Sequence, residues 1–114
     1  MRSYSIPNYI RYKEDIKAKL KRLPDKPYNE YTREELIIKF LPLVENLARK
    51  FPSGQQASGI MNIMDFIQEG SKGLTRAVDR IDWHTLMSSD DIEKTLKSFL
   101  AKRIRGAIRR GIDA

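Results

Sequence analysis

The sequence predicts an all-α fold, a compact bundle of about four helices. Two observations lead there. Every strongly patterned segment repeats its apolar residues at helical spacing, near 3.6, and none alternates residue by residue. At 114 residues the chain is of one-domain size and can bury about two-thirds of its unfolded surface, enough for a modest core without covalent staples.

The first helix is expected between Pro7 and Pro24, with Tyr9, Ile10, Tyr12 or Lys13, Ile16, Leu20 and Leu23 along one face. Arg11, Lys17, Lys19, Lys21 and Arg22 make it basic and amphipathic. Asp25 to Tyr31 carries the proline, asparagine and aspartate of a linker. Residues 1–31 thus read as a basic amino-terminal helix with its linker, and residues 32–114 as the main helical domain.

Thr32-Arg33-Glu34-Glu35 matches a capping box, so the second helix starts there. Its core stripe is Leu36, Ile37, Phe40, Val44, Leu47, Ala48 and Phe51, interrupted by Pro42, which removes one internal hydrogen bond. Pro52 to Gly59 reads as a loop of glycine and small polar residues. In the third helix Ile63, Ile67, Gly70, Leu74, Ala77, Val78 and Ile81 share about a third of the circle. Asp65, Gln68, Glu69, Lys72 and Arg76 take the opposite arc. Gly70 and Gly73 each cost about 1 kcal/mol relative to alanine, which points to close packing against a neighbouring helix. Asp82 to Asp91 reads as a loop ending in Ser89 or Asp90 as N-cap, and the fourth helix runs from about Asp91 to Arg110, with Gly111 as its stop.

Composition narrows the function. There is no cysteine and only one histidine, His84, so disulfides, thiolate metal sites, a structural zinc site and a His-based triad lack their ligands. No enzyme activity and no cofactor are expected. The 22 basic against 15 acidic residues give a formal charge of +7, which favours a polyanionic partner through counterion release. No apolar run approaches the ~20 residues that cross a bilayer, and Met1-Arg2-Ser3-Tyr4 leads into no signal-like core. A cytoplasmic protein without membrane contact is expected.

The charge is centred on the last helix. Between Ile92 and Ile112 seven basic residues, Lys94, Lys97, Lys102, Arg103, Arg105, Arg109 and Arg110, stand against the single acid Glu93. Leu96, Leu100, Ile104 and Ala107 cluster on one side; Lys102, Arg105 and Arg109 lie roughly opposite, with Phe99 and Gly106 beside them and Arg103 and Arg110 at the border. An aromatic flanked by cations suits a single strand, because bases stack on the ring while phosphates meet the guanidinium groups. A solvated charged face with Phe99 in the core fits the same pattern. Trp83, the only tryptophan, reads either as a stacking platform for unpaired bases or as a partly buried core anchor. Asp65, Gln68 and Glu69 form an acidic-polar face without a third carboxylate or histidine at metal-binding spacing, so it reads as a solvated face or a protein-binding one before a metal site.

Three blocks resemble region 2 of bacterial sigma factors of the sigma-70 family. Met64-Asp65-Phe66-Ile67-Gln68-Glu69-Gly70 through Gly73-Leu74-Thr75-Arg76-Ala77-Val78-Asp79 is similar to the family's D-L-I-Q-E-G-x-x-G-L-x-R-A-V-E/D segment. Leu41-Pro42-Leu43-Val44-Glu45-Asn46-Leu47-Ala48 resembles its L-P-L-V-x-x-I-A helix, and Arg103-Ile104-Arg105-Gly106-Ala107-Ile108 its R-I-R-G-A-I in alternative members. The blocks occur in family order over about residues 36–112.

The resemblance implies a sigma region 2-like domain whose third helix docks on the clamp helices of the largest subunit of bacterial core RNA polymerase, through Met64, Asp65, Gln68, Glu69 and Ser71 with Thr75 at the edge. The last helix would face a −10-like promoter element and capture the unpaired non-template strand. Phe99 takes the place of a base-stacking aromatic there; Lys102, Arg103, Gly106, Arg109 and Arg110 contact strand and duplex edge, and Arg105 and Trp83 complete the expected DNA-binding set. Lys102-Arg103 replaces the paired tryptophans of housekeeping members, and the segment from Asp82 to Phe99 lacks the R-G-x-x-F-x-T-Y pattern. With the chain ending at Ala114, a minimal phage-type factor leaning on a separate co-activator, or a fragment, is implied. A sigma mimic that inhibits the host polymerase and a basic helical RNA-binding protein remain as alternatives.

Overall fold

Helices begin where their first amides find an acceptor. In the computed structural model, which describes residues 6–51, 54–56 and 59–113, the Thr32 hydroxyl accepts from the Glu35 amide at 3.1 Å and the Glu35 carboxylate accepts from the Thr32 amide at 2.8 Å. This capping box opens helix α2 (Arg33–Ala48), following α1 (Ile6–Lys21), in which Pro7 occupies the first turn, where a missing N–H costs nothing. The next cap escaped the sequence reading. Asn62 accepts from the Met64 and Asp65 amides at 3.0 and 3.2 Å, and Asp65 accepts from the Asn62 amide at 3.1 Å, opening α3 (Ile63–Val78).

Four further expectations are corrected. In and just beyond the segment read as a loop, Gly54–Gln56 (β1) and Gly59–Met61 (β2) pair as a short antiparallel hairpin. Trp83–Met87 forms a fifth helix, α4, because Asp82 accepts from both the amide and the hydroxyl of Thr85, at 3.2 and 2.8 Å. The last helix, α5, spans Ile92–Asp113, so Gly111 lies inside it. Its N-cap is Asp91, whose carboxylate accepts from the Lys94 amide at 3.1 Å, in place of Ser89 or Asp90.

The fold is an all-α bundle built on α2, α3 and α5. Phe40 and Val44 of α2, Phe66, Ile67 and Leu74 of α3, and Leu96, Leu100, Ile104 and Ile108 of α5 are buried together. Each such side chain contributes about 1.5–3 kcal/mol on removal from water. Phe66 lies outside the expected stripe of α3, which is wider because α3 is covered on two flanks. Arg33 reaches Asp79 while Val44 lies beside Gly70, so α3 runs antiparallel to α2. It also runs antiparallel to α5, with Gly73 beside Ala107 and Glu69 beside Gly111.

The two internal glycines of α3 sit where the helices approach most closely. A Cβ on Gly70 would stand 2.9 Å from Val44 Cγ1, and one on Gly73 2.6 Å from the Ala107 Cβ and 3.1 Å from the Arg103 carbonyl oxygen. Gly111 has the same reason to be glycine, since a Cβ there would meet Glu69 at 2.6 Å.

Helix α1 lies on α2 through buried Ile16 and a 2.6 Å hydrogen bond from the Tyr9 hydroxyl to Glu45. Ile10, expected on its inner face, is 52% exposed. The segment read as a linker makes a short 3-10 turn at Tyr28–Glu30, and Tyr31 is buried with its hydroxyl donating to the Pro24 carbonyl at 2.7 Å. Among the described residues no helix is long and apolar enough to cross a membrane.

Candidate nucleic-acid interface and the polar face of α3

Because Gly73, Ala77 and Gly106 carry little or no side chain, the antiparallel pair α3/α5 leaves a cavity of about 390 Å³ along one flank. Arg76 and Arg80 of α3 line one wall; Phe99, Lys102, Arg103 and Arg110 of α5 line the other. No acidic side chain lines it, and none of its five cations joins an ion pair among the described residues. Five like charges around one concavity make a local positive potential that an incoming polyanion relieves.

The Arg103 guanidinium stands 4.6 Å from the centroid of the Phe99 ring. Arg103 is exposed and Phe99 half-buried, so the ring is anchored and the guanidinium is presented to the cavity. On another side Phe99 joins Ile81, Leu86 and Leu96 around an apolar cleft of about 150 Å³. Asp82 at its edge is held below the ordinary aspartate range by hydrogen bonds from the Thr85 hydroxyl and amide.

Of the residues expected to meet nucleic acid, the structure gathers Phe99, Lys102, Arg103, Gly106 and Arg110 into this cavity. Arg105 and Arg109 are exposed on α5 outside its lining, and Trp83 is half-buried on α4, packed on the edge of the core. The sequence reading missed Arg80 and assigned Arg76 to the acidic-polar face. Their i, i+4 spacing was a visible signal of a shared flank; that the flank faces α5 follows only from the packing.

The polar face of α3 is less uniform than its pattern suggests. Gln68 and Lys72 are exposed, whereas Met64, Asp65, Glu69, Ser71 and Thr75 are half-buried. Asp65 is engaged in the cap of its own helix, Glu69 packs against Gly111 and lies 3.4 Å from the Lys72 ammonium, and the Thr75 hydroxyl donates to the Ser71 carbonyl at 3.0 Å. Among the described residues no three His, Asp or Glu side chains converge as metal ligands. No known family model, curated protein or solved structure matches the chain.

Proposed function

We propose that the chain is a sigma-like transcription initiation factor, which binds core RNA polymerase through α3 and holds the unpaired non-template strand of a −10-like element against α5. The observation that carries this reading is the α3/α5 cavity: five cations that join no ion pair among the described residues surround an aromatic residue, and four of the five resemblance-derived strand contacts line it together with Phe99.

The chemistry of such a cavity is capture. Extruding a base from a duplex costs a few kcal/mol, and stacking returns about 1–3 kcal/mol per base, so stacking plus phosphate neutralisation favours the open strand. The chain holds DNA that has opened and performs no bond-breaking step. On the neighbouring flank, exposed Gln68 and half-buried Glu69 supply the polar surface for the polymerase clamp helices.

The test separates the two surfaces. Changing Gln68 and Glu69 to alanine should abolish co-purification with core polymerase, whereas Lys102→Glu should leave the complex intact and abolish promoter opening. A chain that binds core and silences the host factor without opening DNA would select the inhibitor alternative. Recovery of RNA without polymerase would select the RNA-binding one.

A further inference from the structure

The cavity's five cations do not stand in equivalent positions. Among the five cation–ring pairs of the described residues, Arg103–Phe99 is the closest, at 4.6 Å, and the other four, all lysines over tyrosines, lie at 5.5 to 5.8 Å. A guanidinium is planar and delocalised, so one face can rest on an aromatic ring while the other remains available. Arg103 is exposed and joins no ion pair among the described residues, so no carboxylate among them draws it off the ring. Its backbone is fixed as well: the Arg103 carbonyl oxygen lies against side-chain-less Gly73, locking this turn of α5 onto α3.

We infer that an unpaired nucleobase stacks on the outer face of the Arg103 guanidinium, with Phe99 supporting that guanidinium from behind, while Arg76, Arg80, Lys102 and Arg110 hold the flanking phosphates. This rests on the cavity being the single-strand interface and reassigns its stacking surface. The ring of Phe99 is already covered on the side of Arg103, and bases stack on guanidinium planes as they do on aromatic rings. Arg103 is then the residue that distinguishes a strand with bases from a bare phosphate chain. A lysine at this position would keep the charge and lose the plane.

The test compares the full chain's affinity for a short oligodeoxyadenylate with that for an all-abasic oligomer of equal phosphate count. Wild type should prefer the base-bearing oligomer by roughly tenfold, the scale of one stacked base. Arg103→Lys and Phe99→Leu should bring that preference close to one, and Phe99→Tyr should keep it. Arg76→Ala should weaken both oligomers together and preserve the ratio. A tenfold preference that survives Arg103→Lys overturns the inference, as does equal wild-type affinity for the two oligomers, which leaves an electrostatic single-strand site standing. Binding of neither oligomer removes the single-strand reading itself and the stack with it.

Discussion

Gly73 and Ala107 face each other so closely that a methyl group on Gly73 would stand 2.6 Å from the Ala107 Cβ. Neither atom belongs to a flexible side chain, so Gly73→Ala must push α3 and α5 apart. Overpacking of this kind costs about 1–3 kcal/mol, against about 1 kcal/mol gained in helix propensity. A net loss of up to about 2 kcal/mol is expected in chemical denaturation. Ala107→Gly should restore part of it in the double variant, and additive losses in that cycle would contradict the close approach.

Arg33 clamps the start of α2 to the end of α3 by donating to both Asp79 oxygens, at 2.5 and 3.0 Å. The guanidinium holds the Asp79 carboxyl below the ordinary aspartate range. A depressed acid stabilises the fold above its unfolded pKa and loses that contribution as pH falls through the folded value. Arg33→Ala should therefore raise the Asp79 pKa in an NMR titration. Its stability deficit relative to wild type should appear at neutral pH and close under acid conditions.

The Tyr12 hydroxyl is buried, and among the described residues the Ser71 side chain beside it makes no hydrogen bond of good geometry to it. Burial pushes its pKa up to about 12, and that of Tyr28 likewise to about 12, where the Tyr28 hydroxyl also donates a hydrogen bond to the Glu93 carboxylate at 2.7 Å. Both groups favour the fold fully below their ordinary value near 10.0, and this contribution is lost as pH rises toward about 12. Tyr12→Phe should reduce the alkaline loss and, by removing a buried hydroxyl without a well-formed hydrogen bond, raise stability at neutral pH by about 1 kcal/mol. Destabilisation of the phenylalanine variant at neutral pH would show that the hydroxyl is bonded after all.

Five cations around one cavity set a salt dependence for strand binding. If each meets one phosphate of a single strand, log K against log salt should have a slope of about −3.5, and each of Arg76→Ala and Arg80→Ala should flatten it by about 0.7. A slope unchanged in both variants would remove α3 from the interface.

Much of the bundle was legible because α2, α3 and the body of α5 each bury a stripe long enough for periodicity to show, as Leu36 to Ala48 and Leu96 to Ile108 do. What periodicity could not reach was short or set by neighbours. Helix α4 is five residues long, and only the Asp82 cap announced it. Gly111 looked like a helix stop because glycine commonly ends helices; here it is small because Glu69 fills the space beside it. Ile10 fitted the apolar spacing of α1 but is 52% exposed, since among the described residues α1 packs chiefly on α2 and Ile10 lies off that contact. A wheel drawn for α3 separates its arcs without saying which arc meets α5, and for that reason Arg76 was grouped with Gln68 and Glu69. The capping role of Asp65 was hidden because the box begins with asparagine and closes with aspartate, away from the commoner Ser/Thr and Glu/Gln pattern.

Transcription by purified core polymerase and this chain on a genomic DNA library, with start sites mapped, tests the proposed role most directly. Discrete start sites that require the chain and vanish with Lys102→Glu, while the polymerase complex persists, are the expected result. Failure of the chain to associate with core polymerase, or starts that are unchanged when it is left out, would contradict the proposal.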